Sequence, residues 1–247
     1  MKVVVRYLPI AILLAAWELS SRLGWVPPSL LPAVSDVASH WWLLVQKGDM
    51  FTHAAVSMFR EIAGLSLSIV VGMTIGIMMA ISKKLERLIQ PLITFLYPLP
   101  KSALIPIIMI WLGLSHSAQI MVIFLGCLLP VVLSSFNGAK GVESVLVWSA
   151  RSLGASPNET VFRVVVRAAL PEIFAGIRVA LALSFVLLVS VEMVGARQGM
   201  GFLISSLGEM GDYSGMFAVI LTLVAIGFVA DRMYLSFQQY MLRWREA

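Results

Sequence analysis

The sequence predicts an all-α membrane protein of six transmembrane helices. Three observations predict it: six apolar runs of spanning length, a charge content of only 13%, and a one-sided distribution of Lys and Arg. A soluble domain carries about a quarter charged residues. Here 60% of 247 residues are hydrophobic and mean hydropathy is +0.93, so lipid takes the place of the missing polar surface. Residues 1–247 are expected to form a single transmembrane domain, with a cytoplasmic loop at about residues 137–169. The net charge of +5 does not imply a nucleic-acid partner, because the basic residues form no arm or single face.

A helix needs about 20 mostly apolar residues to cross a bilayer. The expected spans are Tyr7 to Leu23, Ile62 to Ser82, Leu88 to Leu112, Ala118 to Phe136, Leu170 to Val194 and Met216 to Tyr240. In the first, Lys2 and Arg6 precede an apolar run, as in a signal peptide. No small-x-small site follows before Glu18, so an uncleaved span is expected. Near its end Glu18 and Arg22 sit i,i+4 with the acid first, the favourable order for a helical ion pair. With the N-terminus inside, eleven Lys and Arg residues fall in cytoplasmic segments. Four (Arg22, Lys47, Arg60, Arg197) fall outside, and Lys101, Arg178 and Arg232 fall within spans. The positive-inside rule then places both termini in the cytoplasm. Between the first two spans, Val34 to Gln46 is too short to cross. Ser35 and Asp36 stand as candidate caps, and its tryptophans Trp41 and Trp42 suit an amphipathic helix on the outer leaflet.

The second span carries Gly64, Ser68, Gly72, Gly76 and Ala80, a small residue at every fourth position. The fifth repeats the device with Gly176, Ala180 and Ser184. Such ridges let helix backbones approach closely in lipid. Packing within one subunit accounts for both, and a dimer interface is the second reading. The third span differs, with Pro91, Pro98, Pro100 and Pro106. Proline removes a backbone donor and clashes with the preceding turn, and irregular backbone at membrane depth survives only under protein or beside water. This span is therefore expected to break and to line a path.

Lys101 lies in that break, and an ammonium at such depth is a functional candidate by default. It either contacts solute, favouring an anion, or snorkels, or pairs with a carbonyl that the prolines free. Pro98, Pro100, Lys101, Ser102 and Glu192 form the expected translocation path. Glu192 precedes the glycine-rich Gly195 to Gly201, which reads as a gate, a re-entrant turn, or a flexible loop holding an interfacial carboxylate. Arg178 is expected to snorkel to the cytoplasm and Asp231 to pair with Arg232. His40, His53 and His116 lack companions at metal-ligand spacing, and Cys127 sits alone in an apolar run, so no metal site is expected. No paired-carboxylate or Ser/His set at membrane depth suggests catalysis.

The longest inner segment, about residues 137–169, holds VESVLVWSARSLGASPNETVFRVVVRAALPEI. Val142 to Leu153 has helical character, and Gly154 with Ser156-Pro157 supplies a stop and a new start. Val145, Leu146, Trp148 and Leu153 are apolar on an inner loop, which implies a partner surface.

This stretch resembles the EAA loop of binding-protein-dependent ABC importer permeases of the nitrate/sulfonate/taurine type. Ala150 matches the second alanine of that pattern, Gly154 its glycine and Leu170-Pro171 its Leu-Pro; Trp148, Ser149 and Arg167 depart from it. PLPKSALIPIIMIWLGLSHSAQI, VEMVGARQGMGFLI and AIGFVADRMY are similar to the third span, the outer re-entrant segment and the last span of that group. The resemblance implies a type I ABC importer permease fold, one permease domain whose cytoplasmic coupling loop is the segment at about residues 137–169. Leu146, Trp148, Ser149, Ala150, Arg151, Leu153, Gly154 and Ala155 would couple to the ATPase. It also implies two ABC ATPase subunits, a second copy of the chain as homodimer, an extracytoplasmic solute-binding protein, and a bacterial inner-membrane location. The chain has no G-x-x-x-x-G-K-[ST] loop. It is expected to be no enzyme and to hold no cofactor, with ATP and Mg bound by the partner ATPase. The solute class implied is sulfonate, taurine, nitrate or bicarbonate. The alternative is a secondary transporter run by an ion gradient, which would show inverted repeats with matching broken helices; here only one span is broken.

Overall fold

The computed structural model describes residues 2–245, with side chains from 8 to 244, so the side chains of Lys2, Arg6 and Arg245 lie outside the described residues. The main helices are α1 (Lys2–Arg22), α2 (Val34–Lys47), α3 (Asp49–Ile81), α4 (Lys83–Leu96), α5 (Leu104–Leu112), α6 (His116–Lys140), α7 (Ser144–Ser152), α8 (Pro157–Glu159), α9 (Val166–Gly195), α10 (Met200–Glu209) and α11 (Tyr213–Met241). A π-helical turn, Thr160–Val165, joins α8 to α9, so Pro157–Gly195 is one run of 39 residues.

Among the described residues four helices are long and apolar enough to cross a membrane: α3, α6, the α8–α9 run and α11. The bent pair Lys83–Leu96 and Lys101–Leu112 brings the number to five. The expected first span falls in α1, whose described side chains begin at residue 8. The second span begins well before its expected start, because the polar stretch from Asp49 to Glu61 is already helical.

Chain contacts divide the molecule into two compact units, Met1–Met58 with Glu192–Ile226, and Phe59–Val191 with Gly227–Ala247. In the first, α1 packs on α2. Trp17 Nε1 donates to the Pro32 carbonyl (2.9 Å), and the Trp17 ring lies 5.7 Å from Phe217. Ser35 does not cap α2. Its N–H and hydroxyl both donate to Glu18 (3.1 and 2.8 Å), Arg22 joins the same carboxylate (3.1 Å), and Ala33 occupies the cap position without a side-chain bond. Val37 and Leu44 turn inward, while Trp42 is exposed and Trp41 donates to the Thr222 hydroxyl (2.9 Å).

The second unit is built around α6, whose Ile123, Cys127 and Val131 are fully buried. The α3 ridge packs against it. A Cβ on Gly64 would fall 2.7 Å from Ile123 Cβ, and one on Gly72 would fall 2.9 Å from Val131 Cβ. The small residues of α9 meet α6 likewise, with the Cys127 thiol donating to the Ala180 carbonyl (3.3 Å). Both ridges thus serve packing within one chain. Glu86 of α4 pairs with Lys140 of α6.

Candidate functional site

Four prolines mark the third span, but only two break it. Pro91 sits inside α4, which continues past it, and Pro106 lies in the first turn of α5, where a donor is spare. The chain turns at Pro98 and Pro100, which cannot donate, so the last carbonyls of α4 need another partner. Lys101 supplies it: Nζ donates to the carbonyls of Tyr97 (2.7 Å), Leu99 (2.9 Å) and Leu96 (3.4 Å). A cation is also the charge that a helix C-terminus favours. The two arms meet at 86°.

Beside the break lies a cavity of about 800 Å³. Tyr97, Lys101 and Ser102 form its wall at the break, α6 adds Leu133, Ser134 and Asn137, and α9 adds Glu172 and a mostly apolar face up to Ser190. Pro98 and Pro100 shape the turn without facing the cavity. Glu172 and Asn137 were not singled out in the sequence. Only their helical register, turned to the same side as Gly176 and Ser134, could have signalled them.

Glu192 is elsewhere. It lies on α9 and not on a flexible loop, and it is fully buried at the end of that helix. Its carboxylate accepts from the Ser57 hydroxyl (2.8 and 2.9 Å) and the Gly201 N–H (2.9 Å). Ser57 accepts from Met200 N–H (2.7 Å) and His53 Nδ1 from Gly199 N–H (2.9 Å). Three successive N–H groups at the start of α10 are thus satisfied, where a carboxylate also meets the positive end of the helix. Gly199 has φ +123°, and a Cβ there would collide with Glu192, so glycine is required.

Other polar positions also depart from expectation. Asp231 pairs with Arg178, not with Arg232, which stacks over Phe228 at 5.0 Å. Arg60 and Glu61 are buried, the first bonded to His116 Nδ1 (3.1 Å) and the second to Ser184. Arg60 therefore belongs to helix packing and not to an outer loop.

The loop between α6 and α9 carries the second candidate surface. On α7, Val145, Leu146 and Trp148 are exposed, and Leu153 at its end is 89% exposed. Val145, Trp148, Ser149, Ser152 and Leu153 line a shallow groove. Gly154, at φ +87°, ends the helix in a conformation few other residues adopt. Ser156 and Glu159 then form a reciprocal capping box with Pro157 between them, which restarts the helix.

Residues 72–243 match the family model of the "binding-protein-dependent transport system inner membrane component". A provisionally named aliphatic sulfonates transport permease protein of Escherichia coli (strain K12) is 31% identical over 98% of this chain and 91% of its own length. The taurine transport system permease protein of the same organism is 29% identical over 95% and 87%. A chain of the MetNI methionine ABC transporter, solved in inward-facing conformations, superposes with a TM-score of 0.65 at 19% identity, covering 81% of this chain and 96% of its own.

Proposed function

The chain belongs to the family of binding-protein-dependent transport system inner membrane components, and on that premise we propose that it lines the path for a small anionic solute and receives force through α7. It is a multi-pass inner-membrane transport component of an ABC importer. The observation that carries the mechanism is continuity. The exposed apolar face of α7 is followed within a few residues by the unbroken 39-residue run whose later turns wall the cavity. Closure of a partner ATPase on α7 would displace that run as a rigid element, opening or closing the cavity without a second mechanical part.

In this reading Leu146, Trp148, Ser149, Ala150, Arg151, Leu153, Gly154 and Ala155 couple the chain to two ATPase subunits, which hold ATP and Mg. A second copy completes the path, both termini face the cytoplasm, and an extracytoplasmic solute-binding protein delivers the solute. Residues 1–247 act as one permease domain. Pro98 and Pro100 shape the path that Lys101 and Ser102 line, and Glu192, the remaining path candidate, anchors the start of α10. Relatives named for aliphatic sulfonates and taurine support a sulfonate-class solute.

Copurification with the ATPase subunit tests the coupling surface. Trp148→Ala with Leu153→Asp is expected to reduce recovery of the ATPase at least tenfold while leaving the amount of folded permease unchanged. Undiminished recovery would refute the role of α7.

A further inference from the structure

We propose that Glu172 selects for solutes that carry a positively charged group beside their anionic one, an inference that rests on reading this cavity as part of the translocation path. Two charged side chains line it, Lys101 and Glu172. They are not equivalent. The three protons of the Lys101 ammonium are all accepted by backbone carbonyls. Lys101 therefore contributes a positive field but no spare donor, and draws an anionic group without binding it directly. Glu172 has no hydrogen-bond or ion-pair partner among the described residues and opens into the cavity. Its stem is held, because it packs on α6, where a Cβ on Gly138 would fall 2.9 Å from Glu172 Cβ. The side chain thus starts from a fixed point in the cavity wall.

A carboxylate beside apolar surface gains most from a cationic donor. The wall around it, Leu133, Ala175, Gly176 and Val179, is apolar or small and suits a short methylene chain. Asn137 adds an amide that can accept from the same ammonium. The volume of about 800 Å³ falls within the range of small-molecule sites and leaves room for water. An anion alone would meet the field of Lys101 and be repelled by Glu172. A solute with separated opposite charges satisfies both.

Binding to the full-length permease in lipid nanodiscs, without the solute-binding protein, tests this. Aminoethanesulfonate is compared with ethanesulfonate, which lacks only the amino group. The wild-type chain is expected to hold the amino compound about tenfold tighter, the difference one charge-assisted hydrogen bond makes. Glu172→Gln should bring the two within twofold by weakening the amino compound alone, and Glu172→Asp should keep the preference. Equal or absent binding of both compounds to wild type, or a preference unchanged in Glu172→Gln, would overturn the assignment. The permease reading is judged separately on the same nanodiscs, by whether they recruit the ATPase subunit and raise its ATP hydrolysis.

Discussion

The Arg178 guanidinium meets the Asp231 carboxylate through two bonds, Nε to Oδ1 at 2.8 Å and Nη2 to Oδ2 at 3.1 Å. They tie α9, a wall of the cavity, to α11, and the Tyr234 hydroxyl adds a bond to the Phe174 carbonyl (2.7 Å) between the same helices. Within apolar spans, removal of one partner leaves an uncompensated charge, which costs more than the pair contributes. Arg178→Met or Asp231→Leu alone should therefore lower the yield of folded protein and its melting temperature, and the double variant should recover at least half of the loss. Additive effects in thermal melts of the purified chain would count against the pair. The sequence reading joined Asp231 to Arg232 because they are neighbours, but adjacent residues on a helix point about 100° apart and cannot face each other. The true partner is 53 positions away, and a distance of that kind is written in helix packing and not in local spacing. Lys101 illustrates the same limit. Its placement in a proline break was legible, and so were its two possible partners, yet only the geometry assigns its protons to carbonyls.

At the level of elements, regular features were legible and irregular ones less so. Small residues at every fourth position of α3 identified the packing face, because close approach needs them wherever the partner lies. Four prolines signalled a break, but which two would make it depended on where helix ends fall, since proline is tolerated in a first turn. The restart after α7 was readable from Gly154 and Ser156-Pro157, and its chemistry yields a pH dependence. Glu159 accepts from the Ser156 N–H (3.0 Å) and hydroxyl (2.9 Å), with Arg163 at 3.6 Å, and these hold its carboxyl below the usual carboxylate range. A carboxyl depressed in the folded state stabilises it fully above the unfolded value of about 4.3. That contribution is lost as pH falls from there through the folded pKa. Amide protection over residues 157–165 should be constant at neutral pH and fall on acidification below that value. Ser156→Ala should lower it at every pH by about 1 kcal/mol, the usual worth of a helix cap. Protection that ignores both changes would mean that the run is held from elsewhere.

For the molecule as a transporter, the decisive property is that the loop surface on α7 leads within a few residues into the stiff run that walls the cavity. The sequence placed a helix restart at Ser156-Pro157 and a span from Leu170 without joining them; that they form a single run from Pro157 to Gly195 became visible only in the structure, where a π-helical turn keeps the chain helical in between. A lever of this kind fails if it bends. Phe162 and Arg163 lie in that turn with exposed side chains, so replacing both with glycine removes little packing and softens the backbone between the two surfaces. Each glycine costs roughly 1 kcal/mol of helix propensity, enough to populate a hinge without unfolding a run packed along α6. The double variant should still recruit the ATPase subunits, because α7 is untouched, and should still hydrolyse ATP, because the nucleotide sites are on the partner. Solute uptake by reconstituted vesicles should fall at least tenfold, since nucleotide-driven movement of α7 would be absorbed at the hinge before reaching Glu172 and the turns beyond it. Uptake and hydrolysis that both remain at wild-type rates would mean that force reaches the cavity by another route, through α6 or the helix break, and that the run beginning at Pro157 is not the transmitting part.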